Sequence, residues 1–326
     1  MEPKDRSQMT DEASPEHAGQ GSPPPVIAQP GPARMIEAIQ CLLRADAKRA
    51  RRFLAFVEKS KMGLEHLWCA FDENQTVKAS AMATLTPGRT AMLFATQPKS
   101  RRDLEATGRV IDATCRSVKK AGVRLAQSLI PPENPLEVEA FQAGGLHKIA
   151  TLTYMERSVP RRKERIEGRL PQELDIQTYR PHLRARLEAL LAETYQDTLD
   201  CPGLSQLRTP SDVVEGHIKS GIFKPEWWTF LMKNDVPVGI SMMNVSKSKE
   251  SVELVYLGLT PEVRGRGIGQ ALMAHALREI SGSPQKTVVL AVDDANEPAR
   301  RIYEHFGFRS TARRHAFVRS LDAVKR

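Results

Sequence analysis

The run Val252-Glu-Leu-Val-Tyr-Leu-Gly-Leu259, continued by Thr260-Pro-Glu-Val-Arg-Gly-Arg-Gly-Ile-Gly269, carries the signal that sets the fold. Its first part is aliphatic and β-branched and predicts a strand over Val252–Leu259. Past the glycines, Ile268, Leu272, Ala276 and Ile280 recur four apart with Met273 and Leu277 beside them, which predicts an amphipathic helix. The joint between them has the form Arg-x-x-Gly-x-Gly, from Arg264 to Gly269. Glycines let the backbone turn tightly, so several N–H groups can converge on one anion. The positive end of the new helix, with Arg264 and Arg266, adds charge of the matching sign. A basic surface turn would need no such flanks. A strand leading in and a helix leading out make the joint a candidate pyrophosphate site.

The whole chain sets wider bounds. Its 326 residues allow two ordinary domains or one large one, and 40% hydrophobic content is enough for packed cores. Cys41, Cys69, Cys115 and Cys201 are scattered without a CxxC pair, and the eight histidines form no HExxH pattern, so no metal is expected. No apolar run is long enough to span a bilayer, and the N-terminus lacks a secretory core. A soluble, cytoplasmic protein without a membrane partner is expected. The net charge of +9 suits a nucleotide-like polyanion, RNA or an acidic protein, and does not choose among them.

Along the chain, residues 1–33 are rich in Pro, Gly, Ser and Glu and read as a disordered tail. Residues 159–171 are charged and bounded by Pro160 and Pro171, and read as an exposed linker. Its interleaved Glu164 and Glu167, with no aromatics, argue against a nucleic-acid patch. The halves on either side repeat one order of elements. In the second, strands are predicted over Trp227–Met232, Val238–Val245, Val252–Leu259, Thr287–Val292 and Ala312–Arg319, with helices after Gly267 and through Tyr303. In the first, strands fall over Leu64–Phe71, Val77–Leu85, Thr90–Ala95, Arg124–Ile130 and Ala150–Glu156. One helix there carries Leu104, Ile111 and Val118, and a short one spans Leu136–Gly144. Two copies of one α/β unit are expected. Asn134, Phe141 and Gly145 match Asn296, Tyr303 and Gly307. The glycine loop does not match: Leu104 falls at the position of Gly267, where a side chain would obstruct a phosphate. The first copy is expected to have lost its grip.

Together, Leu257 to Gly269, Asn296-Glu-Pro-Ala299 and Tyr303-Glu-His-Phe-Gly-Phe308 resemble the GNAT family of acetyl-CoA-dependent N-acetyltransferases. The resemblance covers residues 172–326 well, and residues 34–158 resemble a degenerate second GNAT domain. This tandem plan is similar in layout to that of mycothiol synthases. The resemblance implies two tandem acyl-CoA N-acyltransferase domains of α/β class. Each would hold a mixed, mostly antiparallel twisted sheet flanked by helices and splayed between its fourth and fifth strands, Val252–Leu259 and Thr287–Val292 in the intact copy. It implies acetyl-CoA as co-substrate. Backbone groups of Leu257, Gly258 and Leu259 would pair with the pantetheine arm. Arg264, Gly265, Arg266, Gly267, Ile268 and Gly269 would hold the pyrophosphate, with Gln270 at the rim. Asn296 would bond the pantetheine chain, a role compatible with an N-cap.

The implied reaction is direct attack of a primary amine on the thioester, the acceptor being a small molecule or a protein N-terminus. It needs an acceptor for the amine's proton, a donor for the oxyanion and a proton for the leaving thiolate. Tyr303, two helical turns after Asn296, is the candidate acid, unless it is a core aromatic beside Phe306 and Phe308. Glu253 is the candidate base, and alternation places it on one face with Val255 and Leu257. Asp293 and Asp294 are its rivals. The loops Cys201–Ser205 and Lys224–Trp228 are candidate acceptor contacts, although Trp227 and Trp228 also suit core packing. A non-catalytic acyl-CoA-binding protein on the same fold is the alternative function. Nucleic acid is not expected as a partner.

Overall fold

The computed structural model describes residues 23–60, 63–162 and 164–322. The first half forms β1 (Val26–Ala28), α1 (Met35–Leu43), α2 (Ala47–Lys59), β2 (Leu67–Phe71), β3 (Val77–Thr86), β4 (Thr90–Ala95), α3 (Arg101–Lys120), β5 (Leu125–Ile130), α4 (Pro135–Ala143) and β6 (His147–Ser158). The second repeats the order with β7 (Asp175–Thr178), α5 (Arg184–Thr194), α6 (Pro210–Lys219), β8 (Trp228–Lys233), β9 (Val236–Val245), β10 (Ser251–Leu259), α7 (Ile268–Glu279), β11 (Thr287–Asp293), α8 (Glu297–His305) and β12 (Arg309–Ser320). The strands and helices expected from periodicity all form, with ends displaced by a few residues.

The two copies are not separate bodies. All strands join one 12-stranded sheet in the order β1-β2-β3-β4-β5-β12-β6-β11-β10-β9-β8-β7. The last strand of each half is given to the other: β12 lies against β5, and β6 lies against β11. These two also pair with each other, antiparallel, from Arg309↔Glu156 to Val318↔His147. Boundaries at 158 and 172 therefore divide the chain but not the sheet. Inside each half the fourth and fifth strands run parallel for a short stretch and then part. β4 meets β5 from Thr90↔Leu125 to Met92↔Gln127, and β10 meets β11 from Ser251↔Thr287 to Glu253↔Val289.

Helices cover both faces of the second half. Val252, Leu254, Val288, Leu290 and Val292 pack under α7 and α8 with Met273, Leu277 and Phe306. On the other face Leu187, Leu191, Val213 and Val214 of α5 and α6 pack on Phe230, Ile240 and Met242. Trp228 is fully buried there and donates its Nε1–H to Asn244 Oδ1 at 3.0 Å, so it is core rather than pocket. Trp227 packs at the edge of the α7–α8 core, under the Lys224 ammonium.

Three expectations are corrected or refined. Within the expected 1–33 tail, Val26–Ala28 add a strand antiparallel to β2 and Ile27 packs on the first core; residues 1–22 lie outside the described residues. The described residues of the 159–171 segment have no regular structure and expose their charges, as expected of a linker, but the segment is also anchored. Ile166 and Leu170 pack on the second-half cores, and Arg278 of α7 donates to the carbonyls of Ile166 and Gly168 at 3.1 and 3.0 Å. Leu104 is not in a loop matching Gly267. It lies in the first turn of α3, which starts at Arg101 behind a Ser100 cap.

Candidate active site

Beyond Glu253, β10 keeps β9 on one edge, through Leu257↔Ser241, Gly258↔Ile240 and Leu259↔Gly239, and has no partner strand on the other. The open edge borders a cleft of about 500 Å³, walled by β10, β11, the start of α7, α8 and the loop after α5. A strand edge left with unpaired N–H and C=O groups is a template for an extended ligand. Gly258 belongs there for a packing reason as well. A Cβ on it would come within 2.6 Å of the Tyr256 ring, which lies across the strand with its hydroxyl bonded to Thr194 Oγ1 at 2.8 Å.

The register of β10 on β9 slips between Leu254 and Tyr256, leaving Val255 as the extra residue of a bulge. The slip resets which side chains face which way. Leu254 and Leu257 both pack towards α7 and α8, whereas Val255 and Tyr256 pack towards α5 and α6. The expectation that Glu253, Val255 and Leu257 share a face is therefore wrong. Glu253 also stands outside the cleft wall, which starts at Leu254. It is half-buried, and burial alone pushes its carboxyl up.

At the end of β10 the chain turns through Gly265 and Gly267, whose φ angles are 72° and 73°. This left-handed conformation favours glycine. A Cβ on either would meet no protein atom within 4 Å, so the space in front of the turn is open. Helix α7 starts on Gly267 without a side-chain cap, which leaves its first amides free to bind an anion. Ile268 is buried at 4% exposure and offers only its backbone, while Arg266 is exposed. Gly269 brings α8 close, its Cβ position being 3.1 Å from Ile302 Cδ1. Gln270 lines the cleft and donates to His305 Nε2 at 2.8 Å, clasping α7 to α8. The donor set and the open space fit a pyrophosphate.

Arg264 lines the cleft and is also anchored to the backbone. Its guanidinium donates to the carbonyls of Leu259 (3.0 Å), Gln196 (2.8 Å), Asp197 (3.2 Å) and Thr194 (2.8 Å). These include the orphan carbonyls at the end of α5, so Arg264 staples that helix to β10 while also lining the cleft.

Asn296 caps α8, its Oδ1 accepting from Ala299 N at 3.3 Å, and the cap leaves its Nδ2 for the cleft it lines. Tyr303 is both core and cleft. Its ring packs edge-on against Phe308 at 5.9 Å, it is 7% exposed, and it lines the cavity. Burial first, and the charge of Asp200 second, push its hydroxyl well above the ordinary phenol range. The rival carboxylates are engaged. Asp293 accepts from Cys201 N and Ala295 N, both at 3.1 Å, and Asp294 is held by Thr153 and Arg313.

Asp200 is the wall residue that periodicity could not find. It follows α5 in the loop Asp197-Thr-Leu-Asp-Cys201, whose ends have φ of 50° and 48°. Asp197, Thr198, Leu199 and Asp200 all line the cleft. Two aspartates among turn-forming residues beside the expected acceptor loop were the one available signal. Among the described residues, no group of three or more His, Cys, Asp and Glu side chains is placed to hold a metal. Nor is any helix among them long and apolar enough to cross a membrane.

Residues 191–308 match the family model described as the Acetyltransferase (GNAT) family. The chain is 28% identical over 145 residues to mycothiol acetyltransferase of Streptomyces bingchenggensis, a match covering 43% of this chain and 44% of that protein. It is 42% identical over 57 residues to mycothiol acetyltransferase of Acidothermus cellulolyticus, covering 18% of this chain and 17% of that protein. The matches thus span less than half the length of these curated relatives. A GCN5-related N-acetyltransferase structure from Sphaerobacter thermophilus superposes with a TM-score of 0.56 at 16% identity, covering 91% of this chain and 96% of that one, a likeness of fold across both halves. Through residues 191–308, the chain is similar to the GNAT acetyltransferase family.

Proposed function

We propose that the protein is an N-acetyltransferase that moves the acetyl group of acetyl-CoA directly to a primary amine. The observation that carries this reading is one continuous cleft. A free strand edge, Leu257 to Leu259, leads to an uncapped glycine turn, and the Tyr303 side chain stands in the wall between. In this reading the strand edge pairs with the pantetheine arm, helped by Asn296 Nδ2. The amides from Gly265 to Gln270 hold the pyrophosphate, with Arg266 supplying charge. Tyr303 gives its proton to the leaving thiolate, and its dry surroundings keep it protonated until then. Glu253, outside the wall, reaches an amine only through water.

The relatives' name makes the deacetylated form of mycothiol the first acceptor to test, beside glucosamine, spermidine, free amino acids and peptides with a free N-terminus. Calorimetry with acetyl-CoA and release of free CoA across that panel test the reading. Saturable binding with turnover of at least one amine is expected. No saturable binding would sink it. Binding without turnover across the panel would favour a non-catalytic acyl-CoA-binding protein.

A further inference from the structure

We propose that Asp200 is the carboxylate that binds the acceptor's ammonium group and takes its proton, an assignment that rests on the acetyltransferase reading. Asp197 and Asp200 both line the cleft, and it is the charge of Asp200 that reaches the Tyr303 hydroxyl; the remaining acids of the region are committed or misplaced. Asp293 is 4% exposed with both oxygens bonded to backbone N–H groups, Asp294 is paired with Arg313, and Glu253 lies outside the wall. Asp200 lines the cleft with one oxygen uncommitted. Its Oδ1 accepts from Asp293 N at 3.0 Å, and its Oδ2 has no protein partner among the described residues.

A second observation points to a polar ligand at the same place. Tyr303, 7% exposed, also lines the cleft, and among the described residues its hydroxyl has no hydrogen-bond partner. The hydroxyl is therefore free to bond a polar ligand in the cleft. The titratable groups that feel Asp200 are Asp293, Cys201, Tyr195, Tyr256 and Tyr303, and none is a cation. Burial and then the Asp293 charge raise its carboxyl. A carboxylate that faces the cleft with no cation beside it is matched by a protonated amine, and its raised affinity for protons makes it a better base.

The step balances. The ammonium gives one proton to Asp200 Oδ2, and the freed lone pair forms the C–N bond to the thioester carbonyl. The C–S bond breaks as the leaving thiolate takes the Tyr303 hydroxyl proton. The surplus proton on the new amide nitrogen returns to the Tyr303 oxygen, and Asp200 releases its proton to water. One acetyl group is transferred and one proton is released.

Asp200→Asn keeps an oxygen for the Asp293 N–H and removes only the charge. With whichever amine the wild type turns over, kcat/KM is expected to fall by about 100-fold. The rising acid limb of the pH profile should vanish, and Asp200→Glu should restore part of the activity. The calorimetric acetyl-CoA affinity and the Tm should stay at wild-type values. Carboxyl-¹³C NMR should show one aspartate titrating above the ordinary range that is missing from the variant. If Asp200→Asn keeps full activity and the acid limb while Asp200→Ala loses Tm, the residue merely docks its loop on β11 and the assignment is wrong. A wild type that turns over no amine of the panel removes the acetyltransferase reading and this assignment with it. Unchanged turnover in the variant removes this assignment alone.

Discussion

The two halves leave their fourth strands by different routes, and the difference separates an open, uncapped glycine turn from an ordinary helix start. After β4 the chain uses residues 96–100 before α3 begins, and Ser100 Oγ accepts from Asp103 N at 3.2 Å. After β10 it uses residues 260–267, turns through two glycines, and enters α7 uncapped. Helix α3 has 20 residues where α7 has 12, so the first half has made helix out of the loop. The rest of its cleft is closed to match. Ser128 Oγ donates to Leu93 O at 3.0 Å across the split between β5 and β4. Phe141 stands at the place of Tyr303 without a hydroxyl and packs against Phe317 at 6.3 Å. Asn134 makes no cap bond and donates to Glu137 at 3.0 Å instead. The first half retains a structural role, since β6 completes the second half's sheet.

If the halves differ in this way, one acetyl-CoA should bind per chain, and the sharpest break is at the turn. Gly267→Glu forces a side chain into the left-handed region and puts a carboxylate where the pyrophosphate would sit. Acetyl-CoA should bind at least about 100-fold more weakly, ~2.7 kcal/mol. Leu104→Gly in the first half should leave both affinity and stoichiometry unchanged. Calorimetry reads both, and a stoichiometry of two would end the comparison. Next in size is Tyr303→Phe, expected to slow turnover by about 100-fold with acetyl-CoA affinity nearly intact. Phe141→Tyr, the reverse change in the closed half, should alter neither.

What could be read from the chain alone follows the range of the forces involved. Element order was legible because periodicity is local, and Gly265 and Gly267 were legible because a tight turn needs their backbone freedom. Strand exchange was not, because β5 and β11 each accept any strand with suitable alternation, and nothing near β6 or β12 says which half will take it. The bulge at Val255 depends on β9 and turned Leu257 away from Glu253's face. The anchoring of Arg264 was not legible, because three of the four carbonyls it bonds lie some seventy residues upstream in sequence and carry no side-chain signature. Asp200 sits in a loop without a period. Arg264→Ala tests this account: losing four carbonyl contacts should cost about 1–3 kcal/mol of stability in denaturant unfolding. Its acetyl-CoA binding should keep the wild-type salt dependence, whereas Arg266→Ala should flatten it. The opposite pattern would return Arg264 to the pyrophosphate.

The smallest effect concerns how the halves are held together away from the exchanged strands. Arg89, in the turn between β3 and β4, forms a two-pronged pair with Asp212 of α6 at 2.9 and 2.7 Å. The Arg89 guanidinium, more than burial or the Thr209 hydroxyl, decides the sign and holds the Asp212 carboxyl below its ordinary range. A carboxylate with a depressed folded pKa stabilises above its unfolded value of about 4, and that stability is lost as pH falls through the folded value. Arg89 is half exposed, so solvent screens the pair and the gain is modest. Arg89→Gln should therefore lower Tm at pH 7 by roughly 1–2 °C, with the gap to wild type closing as pH falls below 4 and reopening on return. The gap should also shrink in high salt. A deficit that persists unchanged in acid would mean that the turn is held on α6 by packing around Gly88, whose Cβ position is 2.3 Å from Asp212 O, and that the charges are incidental to the joint.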